Sequence, residues 1–317
     1  MTWYLIRRAG QAVAVVIGVM ILTFVLIHME PGNVARSILG IRATASRMAI
    51  FNATYGLDQP LYKQFISYVD QLLHGNLGTS YYLQQPVSTL LRQRLPRDLL
   101  LLGSSTVFAL LISLPMGMYQ AAARGGIVDN TLGAVSFTLY CMPAFFFAVL
   151  LVAVFAVQTH VFLPEAPVGT SVGSMLAQPR ALVLPILTLT LIQVAGFSRY
   201  MRSSVIDTLA QDFLRVARAK GLPERLVLVR HVLRNSLLPI VTIVGLSLPG
   251  LVTGAIVVED VFNYQGMGLL FYDAATHHDF PILLGSTLVV GVATVVGSLV
   301  ADIAYGMLDP RVRYVGN

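Results

Sequence analysis

Six apolar stretches of this sequence contain no Asp, Glu, Lys or Arg: Ala9–Met29, Leu99–Ala123, Asn130–His160 (running on to Pro164), Ala181–Ser198, Asn235–Val258 and Phe280–Ala301. A helix needs about 20 apolar residues to cross a ~30 Å hydrocarbon layer, and each stretch is near or beyond that length. Together they take up nearly half of the 317 residues. Only 11% of the chain is charged, against about 25% in an average soluble domain, so it lacks the polar exterior a soluble core requires. A mean hydropathy of +0.74 agrees. The pattern predicts an all-α integral membrane protein with six transmembrane helices. It excludes a soluble helical enzyme, a disordered chain and a disulfide scaffold. The single cysteine, Cys141, lies inside the third stretch, and zinc-type Cys/His spacing is absent.

Arg7 and Arg8 precede an apolar run longer than the 7–15 residues of a secretory signal, with no small-x-small site directly after it. We therefore read it as a retained first span. Orientation follows from Lys and Arg in short loops. With the N-terminus inside, Arg7, Arg8, Arg124, Arg199, Arg202, Arg215, Arg218, Lys220, Arg225, Arg230, Arg234, Arg311 and Arg313 all face the cytoplasm, 13 of the 21 basic residues. Seven others lie in the first outside segment, which is too long to obey the rule. Both termini are expected to be cytoplasmic, and the +6 net charge is a membrane-face signature with no implication of nucleic acid. Residues 1–98 read as one span plus a long extracytoplasmic segment holding an amphipathic helix at Tyr62–Leu73. Residues 99–317 read as a five-helix core with a cytoplasmic loop at 199–236. Pro115, Pro143, Pro185 and Pro249 are expected to kink spans.

That loop carries the most information. In Asp212–Arg225, Asp212 can cap a short helix that stops at Gly221, and Pro223 prevents its continuation. Glu224 opens a second helix in which Leu226, Val229 and Leu233 share one face and Arg230 and Arg234 another. Ala217 and Gly221, one turn apart, predict a smooth surface for close approach, flanked by Arg215, Arg218 and Lys220. Those cations suit acidic groups on a protein partner or anionic lipid headgroups, and composition alone does not choose between the two.

The segment resembles the cytoplasmic coupling loop, or EAA motif, of permease subunits in ATP-binding-cassette importers. Ala217 and Gly221 have the motif's spacing, and Leu238-Pro239 matches its end. Arg215 and Val216 replace the usual Glu and first Ala, as in the peptide-importer branch, whose loop reads much like Ala217–Leu222. Similarity continues along the chain at Pro31-Gly32-Asn33, Gly56–Pro60, Gly75–Ser80, Glu259–Gly268 (with Gln265 where Pro is common), Asp279-Phe280-Pro281 and Asp309–Arg313. The resemblance is to the first-permease type of dipeptide, oligopeptide, glutathione and nickel importers. It implies a type I importer permease fold and an inner-membrane subunit that pairs with a homologous permease. It also implies two cytoplasmic ATPase subunits and an extracytoplasmic substrate-binding protein delivering peptide. Residues Arg215, Val216, Ala217, Arg218, Ala219, Lys220, Gly221, Leu222 and Pro223 would then contact an ATPase. ATP and Mg would belong to those partners, because no Gly-x-x-x-x-Gly-Lys-Ser/Thr occurs here.

Glu259, Asp260 and Asp273 are candidates for facing the path or a binding protein, or for simple hydration. Asp302, a carboxylate in the sixth stretch, is a functional candidate by position, and pairing with Arg199 or Arg234 is the favoured reading. His277, His278 and Asp279 invite a metal, but adjacent histidines do not readily make a site alone. A secondary transporter would want inverted repeats and mid-membrane ionisable groups. An intramembrane enzyme would want a paired nucleophile and base. Neither pattern is found.

Overall fold

A computed structural model describes residues 2–29, 32–167, 169 and 171–308. Pro31 of the Pro-Gly-Asn motif and the whole Asp309–Arg313 motif lie outside the described residues. Among those described, the named elements are helical, and strand-type pairing is limited to one bridge between Thr79 and Pro86. In chain order the helices are α1 (Thr2–Met29), α2 (Val34–Leu39), α3 (Ala45–Tyr55), α4 (Leu61–Leu73), α5 (Val87–Ala122), α6 (Ile127–Cys141) and α7 (Ala144–Leu151), which continues as a π-helix over Val152–Gln158. Then come α8 (Val172–Leu176), α9 (Pro179–Leu209), α10 (Asp212–Ala219) and α11 (Glu224–Leu226), the last leading through a π-helix, Val227–Val232, into α12 (Leu233–Ser247). α13 (Gly250–Thr253), α14 (Ile256–Val261), α15 (Met267–Thr276) and α16 (Phe280–Leu308) complete the set.

Among the described residues four helical runs are long and apolar enough to cross a membrane: Val87–Ala122, Pro179–Leu209, Glu224–Thr253 and Phe280–Ile303. Two bent pairs bring the number to six if each is one span: Val13–Met29 with Val34–Arg42, bent by 71°, and Ile127–Cys141 with Ala144–Gln158, bent by 105°. The third charge-free stretch is thus two short helices rather than one straight rod. Pro143 explains the break. It has no N–H to donate, and its ring drives Met142 out of the helical region, to ψ 128°. Pro249 likewise follows the end of α12, whereas Pro115 and Pro185 sit within helices that run on past them.

The chain divides into two compact units. Unit one comprises Met1–Arg97, Val252–Ile256 and Gln265–Val295. Its core gathers Phe24 and Ile27 from α1, Val87, Leu90 and Leu91 from α5, Met267 and Leu270 from α15, and Ile282 to Leu284 from α16. Gly285 is small because a Cβ there would come within 2.7 Å of Val87. Asp279, 1% exposed, links two of the sequence motifs. Its carboxylate accepts from Ser80 Oγ (2.5 Å) and from the backbone N–H groups of Tyr81 (3.2 Å) and Tyr82 (3.0 Å). The Gly75–Ser80 turn is therefore fastened to the start of α16. Asp279→Ala is expected to cost roughly 3 kcal/mol, since hydrogen bonds to a charged group are worth about 1.5–3 kcal/mol each. Limited proteolysis should show new cleavage at residues 80–86, less so for Asp279→Asn, which keeps one acceptor oxygen.

The histidines before Asp279 have contacts of their own. His277 stacks on Tyr82 (3.9 Å) and bonds the Asp273 carbonyl (2.8 Å), while His278 Nδ1 meets Ser37 Oγ (3.1 Å). His277 and Asp279 thus share Tyr82, one on its ring and the other on its N–H. Among the described residues no group of three His, Cys, Asp or Glu is placed to hold a metal ion.

Unit two comprises Asp98–Leu251, Val257–Tyr264 and Val296–Asn317, and α9 is its centre. Small and hydroxylated residues, which let helix backbones approach in an apolar medium, do the joining. Ser105 Oγ donates to the Ile186 carbonyl (3.2 Å), and Thr106 Oγ1 donates to Gln193 Oε1 (2.9 Å), so α5 is fixed to α9. Ser204 and Ser236 donate to each other's carbonyls (2.9 and 3.3 Å), fixing α9 to α12. α12 meets α16 through Gly245, where a Cβ would lie 2.4 Å from Ala301 Cβ. Gly297 and Ala301 form the small-x-x-x-small pair on the α16 side.

Candidate coupling surface

The chain turns sharply at 209–226. Gln211, extended at φ −76° and ψ 140°, is the N-cap of α10, and Asp212 is the first helical residue rather than the cap. Asp212 instead pairs with Arg215 one turn on (3.3 Å, both exposed). α10 ends at Ala219, and Gly221 takes φ +76°, a left-handed conformation that favours glycine. Pro223 is the N-cap of α11. The short helix, glycine turn and second helix all fall where the residue types require them.

The faces are another matter. Leu214 is fully buried and Ala217 is 7% exposed. Leu214 packs in a cluster with Ala121, Met201, Val205, Val227, Val232 and Ile240, against which Leu222 is also packed. Ala217 therefore faces the protein's own interior, and the predicted smooth Ala217–Gly221 patch is not formed. The outward surface consists of Phe213, Arg215, Val216, Arg218, Ala219, Lys220, Gly221 and Pro223. Arg218 is engaged in a two-pronged bond with Glu224, Nε to Oε2 at 3.1 Å and Nη2 to Oε1 at 2.8 Å. That bond raises the guanidinium's pKa further and braces the two helices across the turn.

The second helix also presents a different face from the one its α-helical spacing predicts. Leu226 and Val229 are exposed, whereas Val227 and Val232 are fully buried. The π-helix over Val227–Val232 is the cause. Its wider turn puts residues five apart on one side, after which Ser236 and Ile240 continue the buried line at α spacing.

An ion pair with a buried carboxylate ties α9 to α6. Arg202 of α9 donates from Nε and Nη2 to the two carboxylate oxygens of Asp129 at the start of α6, both at 2.7 Å, and Gly125 N–H adds a third bond at 3.0 Å. Arg199, one turn earlier, lies over the Tyr140 ring at 4.9 Å. By sequence alone Arg202 is one more cation of the membrane face. Its partner is 73 positions away, and no local spacing signals the pair.

The acidic candidates are dispersed. Glu259 in α14 is fully buried, its carbonyl accepting from Tyr264 N–H (2.7 Å). Asp260 is exposed beside it, Asp273 is exposed on α15, and Asp302 is exposed on α16. His231 is half-buried, and its carbonyl accepts from Asn235 Nδ2 (2.7 Å).

Residues 113–314 match the family of binding-protein-dependent transport system inner membrane components, and residues 1–102 match the N-terminal family of such membrane components. The chain is 37% identical over 317 residues to the oligopeptide transport system permease protein AppB of Bacillus subtilis, covering 99% of this chain and all of the relative. It is 32% identical over 337 residues to the dipeptide transport system permease protein DppB of Escherichia coli, with 99% of each covered. A chain of the methionine ABC transporter MetNI, in inward-facing conformations, is 18% identical with a TM-score of 0.47, covering 70% of this chain and 97% of that one. With four to six helices among the described residues long and apolar enough to cross a membrane, the protein is a multi-pass membrane component of a transport system rather than an enzyme.

Proposed function

Because the chain belongs to the binding-protein-dependent transport system inner membrane components, we propose that it is one of two permease subunits of an ATP-driven importer of di- and oligopeptides. The end-to-end relation to peptide permeases carries this reading. In it the chain sits in a bacterial inner membrane with both termini and residues 199–236 in the cytoplasm. It lines the path with a homologous permease, receives peptide from an extracytoplasmic binding protein, and contacts one of two ATPases through 215–223. Two features of the 212–224 turn support a coupling role. Leu214 and Ala217 root α10 in the core below it, and Arg218–Glu224 stiffens it. A push on such a turn is transmitted to the α9 and α12 ends rather than absorbed.

Proteoliposomes holding this chain, its companion permease, the ATPases and the binding protein should accumulate labelled di- or oligopeptide only with ATP, and glutathione or nickel far more weakly. Peptide accumulation that proceeds without ATP would overturn the proposal.

A further inference from the structure

Unit one contains a cavity with several polar side chains in its wall and an apolar groove, which adjoin at Phe24 and His28 of α1. The cavity, about 480 Å³, is lined by His28, Lys63, Gln64, Tyr68, Gln71 and Asn76 among others, with no carboxylate among the described residues that line it. The groove, about 340 Å³, runs between α1 and α4 over Ile21, Val25, Leu61 and Phe65. Both walls are preset. His28 Nδ1 bonds the Phe24 carbonyl (2.8 Å), its Nε2 meets Gln64 Oε1 (3.2 Å), and the Phe24 and Phe65 rings sit edge to face at 5.1 Å.

Three further observations bear on what fits there. The buried Tyr68 hydroxyl has no hydrogen-bond partner among the described residues. Burial pushes its pKa up to about 12, so it remains a donor. The amphipathic helix α4 leaves Leu61, Tyr62, Ile66 and Leu73 exposed, as an interfacial helix does. Finally, the cavity lies at the end of the apolar run of α1, where a span emerges among headgroups.

Gln64 Nε2 already donates to the Gln59 carbonyl (2.8 Å), but Lys63 with the Gln71 and Asn76 amides, and no carboxylate in the described lining, suits a phosphate, and the adjoining apolar groove suits a hydrocarbon chain. We propose that the α1–α4 corner binds an anionic phospholipid, its phosphate in the cavity near Lys63 and an acyl chain along the groove. Nothing in the import reading requires this site.

The test uses the permease extracted with its associated subunits, stripped of lipid, and read by native mass spectrometry with added phosphatidylglycerol or phosphatidylcholine. Wild type should retain phosphatidylglycerol preferentially. Lys63→Gln should lower that retention about fivefold, the worth of one lysine at an anionic surface, and Lys63→Arg should keep it. Val25→Trp, which fills the groove, should lower it with Lys63 intact. Lys63 and Val25 are both exposed, so assembly should be unaffected. Equal retention by wild type and Lys63→Gln, or of the two lipids, would overturn the proposal. So would displacement by glycerol phosphate alone, which would mark a free-phosphate site, or capture of another subunit by a crosslinker at Tyr62→Cys, which would mark a protein interface.

Discussion

Gly221→Asp should leave the chain inserted and folded, yet ATP-driven uptake should fall by at least about tenfold and the ATPases should no longer co-purify. The reasoning starts from the space around this residue. A Cβ built on Gly221 meets nothing within 4 Å. Within the chain, therefore, the only penalty for a side chain is the left-handed backbone at φ +76°, about 1 kcal/mol for most L-residues and less for Asn or Asp. An effect larger than that must come from something outside this chain closing on the turn. Gly221→Asn separates the two terms. It tolerates the backbone as Asp does and adds no charge, so a loss specific to Asp reports an electrostatic clash with a partner. Co-purification of the ATPases at wild-type levels with Gly221→Asp would remove this turn from the coupling surface.

Arg202→Ala is expected to cost about 3 kcal/mol of stability by reversible SDS unfolding. Asp129 is 4% exposed and Arg202 34%. Removing the arginine strands a carboxylate in a buried site, the situation in which breaking an ion pair costs about 3–5 kcal/mol. The guanidinium's partial exposure places this pair at the lower end. Asp129→Asn should cost less, because the arginine left behind reaches water. Arg202→Lys should fall between, keeping charge but losing the two-pronged geometry that holds both oxygens at 2.7 Å. If Asp129→Asn proves as damaging as Arg202→Ala, the stranded-carboxylate account is wrong.

These two residues show where sequence reading reached its limit. Gly221 was legible because a turn between two short helices leaves a local trace, a glycine at the stop and a proline just beyond. Arg202 was visible only as a cation, since what it holds depends on how α6 packs on α9. The acidic candidates divide in the same way. Their positions could be read, but only packing shows that Glu259 is enclosed while Asp260 beside it is open.

The sequence by itself determined the medium and the helices. An 11% charged chain with six long apolar stretches free of charge has to lie in a bilayer, where backbone groups must be satisfied within each helix. The order of its motifs points to a family. Tertiary structure decided the faces and the bends. The π-turn at Val227–Val232 shifts which side of the second helix is buried, and the 105° bend at Met142–Pro143 makes two helices of one apolar run. Hydrogen-bond register and helix packing are set by contacts between residues far apart in the chain. The composition of a single stretch carries no record of them.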